Sequence, residues 1–366
     1  MLLSVIIPAY NAQKYIEACL DSVFASLAQW EIADEGKPRR LSEADYEVLV
    51  VDDGSTDRTP LILMQYAERH PNMRLFTQAN QGQSVARNLA IEEAKGDYIY
   101  MVDADDEMMT QGLSLRPLRL SPRPLCRGGA SSAENSAGDG SCNAGREGYD
   151  IIAVQVMYQQ EDGTRRPWSH QMERWPFDQV FDTGAEFVRH HNIEGLVYGY
   201  LFRRQLFVNH PELRFTPGIY HQDEELIFKI FTLAGPTVYR RGYTYLYYER
   251  TGSSLNTHTE ARRRKLMDDY LVILQRLVRW RDERGLSDVM HYKLSYLAMD
   301  LLRMLIRRQY DAAYATEVLS ELRRLGLYPL PYLSEWKYLA MKALTCTPRL
   351  IKWWIGHPVW SRKVGF

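Results

Sequence analysis

Three carboxylates lie within four residues at the end of an apolar run. Asp103, Asp105 and Asp106 follow the segment Tyr98–Val102. Carboxylates this close repel one another unless a cation neutralises them. Oxygen ligands of this kind suit Mg²⁺ or Mn²⁺ held together with substrate phosphates. A solvated acidic loop would show the same three residues, so the cluster by itself leaves both interpretations open.

A second acidic group has a similar position in the chain. The sequence DDGSTD at 52–57 follows the Val-rich segment 46–51. A carboxylate here can accept hydrogen bonds from a nucleobase N–H or a ribose hydroxyl. Gly54 permits a tight turn, and Ser55 or Asp57 could cap a following helix. The alternative is a plain strand–turn–helix junction.

A third acidic group, HQDEE at 221–225, opens an amphipathic helix. Acids in the first turn of a helix are stabilised by the helix dipole, which is sufficient as a structural explanation. The functional interpretation is a general base held near an acceptor hydroxyl.

The elements around the first two groups are predicted to alternate. Strands separated by helices imply right-handed crossovers and a mostly parallel sheet, with ligands at the carboxyl ends of the strands. A loop is predicted at Glu31–Asp45, and Asn11 is expected to cap the first helix. The predicted strands are Leu2–Ala9, Tyr46–Val51, Met73–Thr77 and Asp97–Val102, and the predicted helices are Gln13–Ala28, Thr59–Arg69 and Gly82–Lys95.

The second half begins with a segment of different composition. Thr110–Gly148 is rich in Ser, Gly, Arg and Pro, so we expect a flexible insertion. Beyond it we predict the strands Asp150–Tyr158 and Tyr243–Tyr248, a hairpin turn at Glu161–Thr164, and the helices Thr183–Asn192, Gln222–Ala234, Glu260 to Gly285, one beginning at Ser287, and Ala312–Leu325.

Length and composition narrow the function classes. The 366 residues carry 45 basic and 46 acidic side chains, a net charge of −1, which gives no general attraction to nucleic acid. The cysteines lack metal-ligand spacing and a disulfide framework is not expected; they are Cys19, Cys126, Cys142 and Cys346. The N-terminus does not look like a signal peptide, and no apolar run reaches the ~20 residues of a membrane span. A cytoplasmic location is therefore expected.

Four motifs together resemble the family 2 glycosyltransferases of the glycosyltransferase-A fold. They are SVIIPAYN at 4–11, VVDDGSTD at 50–57, QSVARNLA at 83–90 and GDYIYMVDADD at 96–106. The resemblance is strong over 1–108 and weaker over about 149–255. It implies an α/β fold with a mostly parallel sheet flanked by helices. The implied organisation is a nucleotide-sugar-binding part at 1–109, the insertion at 110–148, an acceptor-binding part at 149–258 and a C-terminal helical region at 259–366.

The resemblance also implies roles for individual residues. The acid at Asp53 would bind the nucleobase of a nucleotide-sugar. Asp103 and Asp105 would bracket the ribose, the diphosphate and a Mn²⁺ or Mg²⁺ ion, with Asp106 assisting at the metal. The remaining residues expected to line the nucleotide pocket are Pro8, Tyr10 and Arg87.

The catalytic base is less certain from sequence because the family's Glu-Asp pair aligns with Gln222-Asp223. Asp223 is the first choice for the base and Glu224 the second. The implied reaction is sugar transfer with inversion, from a nucleotide donor expected to be a UDP-sugar. The acceptor would be a saccharide or a lipid-linked saccharide in surface polysaccharide synthesis.

Two other functions compete with this one. A nucleotidyltransferase also uses paired acids and a metal, but would have a Gly-rich basic loop where this chain has Pro8–Asn11. A non-catalytic sugar-binding protein on the same fold would not need the four acids Asp53, Asp103, Asp105 and Asp223.

The C-terminal segment 336–366 combines positive charge with tryptophan. It holds six basic residues, no acidic residue and four of the eight tryptophans. Such a segment is attracted to anionic lipid headgroups, which predicts peripheral contact with a membrane. The resemblance implies that this membrane surface is the cytoplasmic face of the inner membrane. The alternative is a packed helix with a basic outer face.

Overall fold

The computed structural model describes residues 1–34, 37–109, 148–169, 172–250, 259–307, 310 and 312–330. The strands in these ranges are β1 Leu3–Ala9, β2 Glu31–Asp34, β3 Lys37–Arg40, β4 Tyr46–Asp52, β5 Met73–Thr77, β6 Tyr98–Met101, β7 Glu107–Met108, β8 Ile151–Gln159, β9 Arg165–Pro167, β10 Val180–Phe181, β11 Tyr200–Arg203 and β12 Thr237–Tyr248. The helices are α1 Ile16–Leu27, α2 Thr59–Arg69, α3 Gln83–Glu93, α4 Gly184–His190, α5 Arg204–Asn209, α6 Gln222–Leu233, α7 Glu260–Arg284, α8 Ser287–Arg307 and α9 Ala312–Arg324.

One mixed sheet forms the centre of the molecule, in the order β10-β12-β8-β11-β6-β1-β4-β5. β6, β1, β4 and β5 are parallel, as the alternating pattern predicts. β11 is antiparallel to both its neighbours, β6 and β8, and β12 is parallel to β8. The carboxyl ends of β1, β4, β6, β8 and β12 therefore lie at the same edge of the sheet, which is where ligands bind in such folds.

A buried polar network lies at the opposite ends of these strands, where β1, β4 and β6 begin. The Ser4 hydroxyl donates to Glu47, at 2.7 Å, and accepts from the Gly96 N–H, at 2.8 Å. Arg74 pairs with the Glu47 carboxylate at 3.0 Å, so this buried charge is neutralised. A Cβ on Gly96 would lie 2.5 Å from the Leu3 carbonyl carbon. The close approach requires glycine, and it places β6 beside β1 just before the acidic cluster.

The C-terminal helices pack against one another and on α6. α7 has a buried face that includes Leu266, Tyr270, Ile273, Leu274 and Leu277. The helix ends at Gly285, whose φ of 64° is the left-handed conformation typical of a helix C-terminus. The Trp280 indole N–H donates to Thr232, at 3.0 Å, and connects α7 to the end of α6.

Asn11 does not cap the first helix, so that prediction was wrong. α1 begins three residues later than predicted, and Asn11 has a left-handed φ of 48°. Its side-chain oxygen accepts from the Thr56 N–H at 2.8 Å, while its own N–H donates to the Ser55 hydroxyl at 2.9 Å. Asn11 therefore joins the loop after β1 to the loop after β4. These two hydrogen bonds use its side-chain oxygen and its backbone N–H, so neither serves as a helix cap.

Two further predictions are corrected. The segment at 31–45 is not all loop, since β2 and β3 form a separate hairpin. The segment lacks the alternation of apolar and polar residues that would predict strands. An ion pair between Arg39 and Asp45, at 2.7 Å, connects β3 to the residues that precede β4. β12 begins at Thr237 rather than Tyr243, because Gly242 and a register shift interrupt its apolar alternation.

The predicted turn at Glu161–Thr164 is confirmed by the antiparallel pairing of β8 with β9. The predicted insertion at 110–148 lies outside the described residues except for Gly148, and so does the segment 336–366 with its predicted membrane contact. In the part of the chain that the structure describes, none of the helices has both the length and the apolar character needed to cross a bilayer.

Candidate active site

The acidic cluster lies at the carboxyl end of β6, near the middle of the sheet. The three carboxylates differ in exposure: the Asp105 side chain is 49% exposed, that of Asp103 is 20% exposed and that of Asp106 is 2% exposed. Burial raises the pKa of Asp105 and Asp106 above the ordinary carboxyl range, and repulsion from the neighbouring acids adds to the increase. The cluster therefore holds more negative charge than its surroundings balance.

Asp106 is turned inward and anchors another strand. Its carboxylate accepts from the Tyr245 hydroxyl at 2.7 Å and from the Tyr248 N–H at 3.0 Å, both on β12. The Tyr245 hydroxyl in turn accepts from the Asp103 N–H at 3.1 Å. Arg250 reaches both Asp105, at 3.2 Å, and Asp106, at 3.3 Å. This bonding favours a role in shaping the cluster over direct metal ligation by Asp106.

Arg87 joins the acidic cluster to the third acidic group. Its guanidinium pairs with Asp103 at 2.6 Å and with Asp223 at 3.0 Å. The side chain is only 1% exposed and lies over the Phe215 ring, 5.1 Å from the centroid. One buried cation thus holds two acids that are 120 residues apart in sequence.

The neighbouring residue strengthens this connection. The Asn88 amide donates to the Phe215 carbonyl and accepts from the Phe215 N–H, both at 2.9 Å. Two successive residues of α3 therefore position the segment that leads into α6. The motif at 83–90 acts in this structure as a bridge between the two halves of the site.

Asp223 lies in the first turn of α6 and has the environment of a base. Burial is the largest effect on its carboxyl group and raises the pKa to about 6, with Arg87 acting in the opposite direction and Asp103 and Glu224 adding to the increase. Arg87 occupies Oδ1, and among the described residues no donor reaches Oδ2. Oδ1 is thus held in place, and among the described residues Oδ2 has no hydrogen bond that would compete with a substrate hydroxyl.

Glu224 points elsewhere. Its carboxylate pairs with the buried Lys293 of α8 at 2.9 Å, and its side chain packs against Gly195, where a Cβ would lie 2.6 Å from the Glu224 carboxyl carbon. Lys293 also donates to the Ile193 carbonyl at 2.7 Å. Glu224 therefore connects α6 to α8, and the geometry favours Asp223 over Glu224 as the base.

Asp53, at the carboxyl end of β4, orders the loop that leads into α3. Its carboxylate accepts from the Gln78 amide, at 2.7 Å, and from the N–H groups of Gln81 and Gly82, each at 2.8 Å. A carboxylate has about four acceptor positions, so roughly one remains for a ligand. Gly54 has a φ of 73°, and its Cβ position is 2.8 Å from the Asn80 nitrogen, so glycine is needed beside this loop.

The other two predicted pocket residues lie at the end of β1. Pro8 is buried within the strand, whereas Tyr10 is 50% exposed on the loop that follows. The exposed Tyr10 ring could stack on a base, while Pro8 shapes the strand end. Their predicted roles in nucleotide binding stay predictions.

The donor set fits a divalent cation that completes its shell with substrate. In the described ranges no group of three acidic, histidine or cysteine side chains is arranged to hold an ion without help. Asp103 and Asp105 each keep one carboxylate oxygen that receives no hydrogen bond from a described residue. Mg²⁺ is usually bound by one or two carboxylates together with phosphates and water, and these two residues match that pattern.

Comparison with known proteins finds a family match over the N-terminal third of the chain. The family model for "Glycosyl transferase family 2" matches residues 4–115, which include Asp53 and the whole acidic cluster. An uncharacterized glycosyltransferase of Escherichia coli, YibD, is 25% identical to this chain over 340 residues, 89% of this chain and 85% of that relative.

Two other similarities differ in extent. The chondroitin synthase of Escherichia coli is 35% identical over 114 residues, which are 31% of this chain but 14% of that protein. The structure of Staphylococcus aureus TarS 1–349 in complex with UDP-GlcNAc superimposes with a TM-score of 0.52 at 17% identity, over 99% of this chain and 92% of that one. The last comparison confirms the glycosyltransferase-A fold.

Sequence reasoning missed several residues of the site. Tyr245 was predicted to lie in the strand Tyr243–Tyr248, and its hydroxyl also contacts two members of the acidic cluster. Gln83 donates to Asp103 at 3.0 Å and begins the very motif that predicts Arg87. Lys293 had no local signal, because a single lysine in an amphipathic helix is ordinary.

Proposed function

We propose that this chain transfers a sugar from a nucleoside diphosphate donor to a hydroxyl of a saccharide or lipid-linked saccharide, with inversion at the anomeric carbon. The observation that carries the proposal is the Arg87 bridge, which places Asp223 beside the donor acid Asp103. A UDP-sugar is the proposed donor, since TarS was crystallised with UDP-GlcNAc. The chondroitin synthase relative supports a role in polysaccharide synthesis.

Asp223 supplies the base in the proposed mechanism. With a pKa near 6 its carboxylate is mostly ionised at neutral pH, yet basic enough to take a proton. The acceptor oxygen forms a bond to the anomeric carbon as the bond from that carbon to the diphosphate oxygen breaks. The hydroxyl proton passes to Asp223 Oδ2, and the electron pair leaves with the nucleoside diphosphate.

Arg87 orients the base in this scheme. Its two contacts hold Oδ1 of Asp223 and Oδ1 of Asp103, so the other oxygen of each acid receives no hydrogen bond from a described residue. A fixed geometry of this kind removes the entropy cost of aligning the reacting groups.

Asp103 and Asp105 are proposed to hold Mn²⁺ or Mg²⁺. The ion would supply Lewis-acid stabilisation of the charge on the departing diphosphate. Asp53 and Tyr10 would bind the base of the nucleotide, and Arg250, which lies between Asp105 and Asp106, would carry positive charge toward the phosphates.

The test is slow hydrolysis of a panel of nucleotide-sugars with Mn²⁺ or Mg²⁺, followed by measurement of the released nucleoside diphosphate. One donor should be hydrolysed, and Asp223→Asn should lower the rate by about 10²–10⁴ while the donor still binds in calorimetry. Asp282→Asn is the matched control, because Asp282 is an exposed acid on α7 that pairs with Arg281. No hydrolysis of any donor, or equal rates for Asp223→Asn and the control, would contradict the proposal.

If Glu224→Gln shows the large loss and Asp223→Asn does not, the base is Glu224. The Asp223 assignment would then be wrong while the glycosyltransferase proposal would remain.

A further inference from the structure

A group of partly exposed aromatic rings lies beside the acidic cluster, on the side away from the nucleotide strands. Tyr158 and Tyr247 are directly paired across the carboxyl ends of β8 and β12. Their rings are stacked with centroids 5.7 Å apart. Trp168, which follows β9, is 4.9 Å from the Tyr247 ring and 5.6 Å from the Tyr158 ring. We call Tyr158, Trp168 and Tyr247 the aromatic platform.

Further rings connect the aromatic platform to the acidic cluster. The Tyr198 ring stacks on Tyr245 at 4.2 Å and lies 6.0 Å from Tyr247. Tyr245 in turn donates its hydroxyl proton to Asp106 at 2.7 Å. Burial raises the pKa of Tyr247 to about 12, and the charges of Asp106 and Asp105 add to the increase, so the platform lies within the field of the cluster.

Polar groups surround these rings. The Trp168 indole N–H donates to Glu194 at 2.5 Å. Glu249 receives a hydrogen bond from the Tyr158 hydroxyl, and the Arg166 guanidinium lies 4.5 Å from the centre of the Tyr158 ring. Carboxylates and a guanidinium next to aromatic rings match the two sides of a sugar, because a pyranose has an apolar C–H face and a rim of hydroxyls.

We infer that the aromatic platform is an acceptor subsite that binds a pyranose ring of the acceptor. The inference rests on the proposed function, since it assigns the acceptor side of that same site. The negative face of an aromatic ring attracts the polarised C–H groups of a sugar. A linear polyol has no flat C–H face, so the platform selects a cyclic saccharide over a polyol chain.

The position agrees with the direction of the reaction. The strands β1 and β4, with Asp53 and Tyr10, lie on one side of β6, and the strands β8 and β12 lie on the other. A donor on the first side and a sugar ring on the second would meet at the end of β6, where Asp103 and Asp223 are joined. The acceptor hydroxyl then reaches the base from the side that the platform occupies.

The experiment is saturation-transfer NMR on the full chain with the methyl glycosides of glucose, galactose and N-acetylglucosamine, and with ribitol as the polyol probe. At least one glycoside should receive saturation at its ring C–H protons, and ribitol should not. Trp168→Ala should reduce that signal at least about tenfold, because the largest ring of the platform is lost. Trp168→Phe should keep part of the saturation-transfer signal. This variant replaces the alanine variant in the experiment if the alanine variant does not fold.

The matched control is Tyr292→Ala, an aromatic residue of α8 that is 39% exposed and outside the platform. Donor hydrolysis is measured on the same samples as a separate readout of the donor site, and it should be unchanged in the control Tyr292→Ala. Absence of saturation at every glycoside, equal signals for ribitol, or equal losses in Tyr292→Ala and Trp168→Ala would overturn the subsite. An equal loss of hydrolysis and glycoside signal in Trp168→Phe would overturn it as well.

Failure of the wild type to hydrolyse any donor would count against the proposed function instead, because glycoside binding is read without a donor.

Discussion

The segment proposed to bind the donor (1–109) and the described part of the segment proposed to bind the acceptor (149–250) hold their acids by different means. We call them the donor half and the acceptor half. In the donor half Asp53 and Asp103 follow the parallel strands β4 and β6, and hydrogen bonds from residues between Gln78 and Arg87 hold them. In the acceptor half Asp223 lies in the first turn of a helix whose position depends on side chains far along the chain. The first arrangement depends mainly on residues within 1–109, and the second depends on the C-terminal helices.

The C-terminal helices α7 and α8 clamp the start of α6. Asp269 of α7 accepts from the Tyr220 N–H at 2.9 Å. Arg276, also of α7, pairs with the buried Glu225 at 2.9 Å, and Lys293 of α8 pairs with Glu224 at 2.9 Å. Three charged side chains of α7 and α8 therefore hold the turn that carries the proposed base. A helix that is not built into the sheet needs such contacts to keep its position.

The largest expected effect comes from the donor half. Asp105→Ala should abolish turnover, a loss of at least about 10³, because it removes one of two proposed metal ligands. The melting temperature should stay near that of the wild type, since this side chain is half exposed at a loop. The measurement is donor hydrolysis beside a thermal melt, with excess EDTA on the wild type as the parallel experiment.

Full activity in excess EDTA would show that no divalent ion is needed. Asp162→Asn offers a control for the loss of one loop acid, because Asp162 lies in the exposed hairpin turn after β8.

Breaking the ion pair between Lys293 and Glu224, which helps to hold α6, should lower both stability and turnover. Lys293→Met should lower the free energy of unfolding by about 3 kcal/mol, because it leaves Glu224 poorly paired in a largely buried place. Turnover should fall more than donor affinity does, since the turn carrying Asp223 moves while the donor half is intact. Denaturant unfolding and donor calorimetry measure the two quantities.

The double variant Lys293→Met with Glu224→Gln is the control for this ion pair. Removing both charges should recover part of the lost stability, as the uncompensated carboxylate is then absent. If the single variant is as stable as the wild type, α8 does not hold α6 through this pair.

A smaller effect is expected on the pH dependence of kcat/KM. It should differ from the pH dependence of donor binding, because Asp223 lies in the acceptor half. The raised pKa of Asp223, about 6, means that the base is increasingly protonated as the pH falls through 6. The value of kcat/KM should therefore fall by about tenfold per unit of pH below that point, and donor binding should fall less. A profile that is flat from pH 7 down to pH 5 would contradict the assignment of Asp223.

The smallest expected effect tests the loop contact of the donor half. Asn11→Ala should cost about 1 kcal/mol of stability, because it removes the hydrogen bond to the Thr56 N–H and places alanine in a left-handed conformation. Asn11→Gly keeps the left-handed backbone without strain, so it separates the two contributions. Equal stability of both variants and the wild type in urea would show that the two loops are held by other contacts.

The sequence by itself predicted most of the donor half. The helix Thr59–Arg69 and the strand Met73–Thr77 have the predicted bounds, since apolar spacing and the Pro and Gly signals are local properties of the chain. The acids at strand ends were also predictable, because parallel strands place them at one edge of the sheet. The polar hairpin β2–β3 has no such pattern, and it was missed for that reason.

Only the tertiary structure decided how the acids are joined. Arg87 was expected to line a nucleotide pocket, which stays a prediction, and the fold places its guanidinium between Asp103 and Asp223. The choice between Asp223 and Glu224 was open in the sequence, since adjacent acids in a helix differ only in the direction of their side chains. That direction depends on Lys293, on Gly195 and on the position of α8, and contacts between residues so far apart in the chain leave no periodic signal in the sequence.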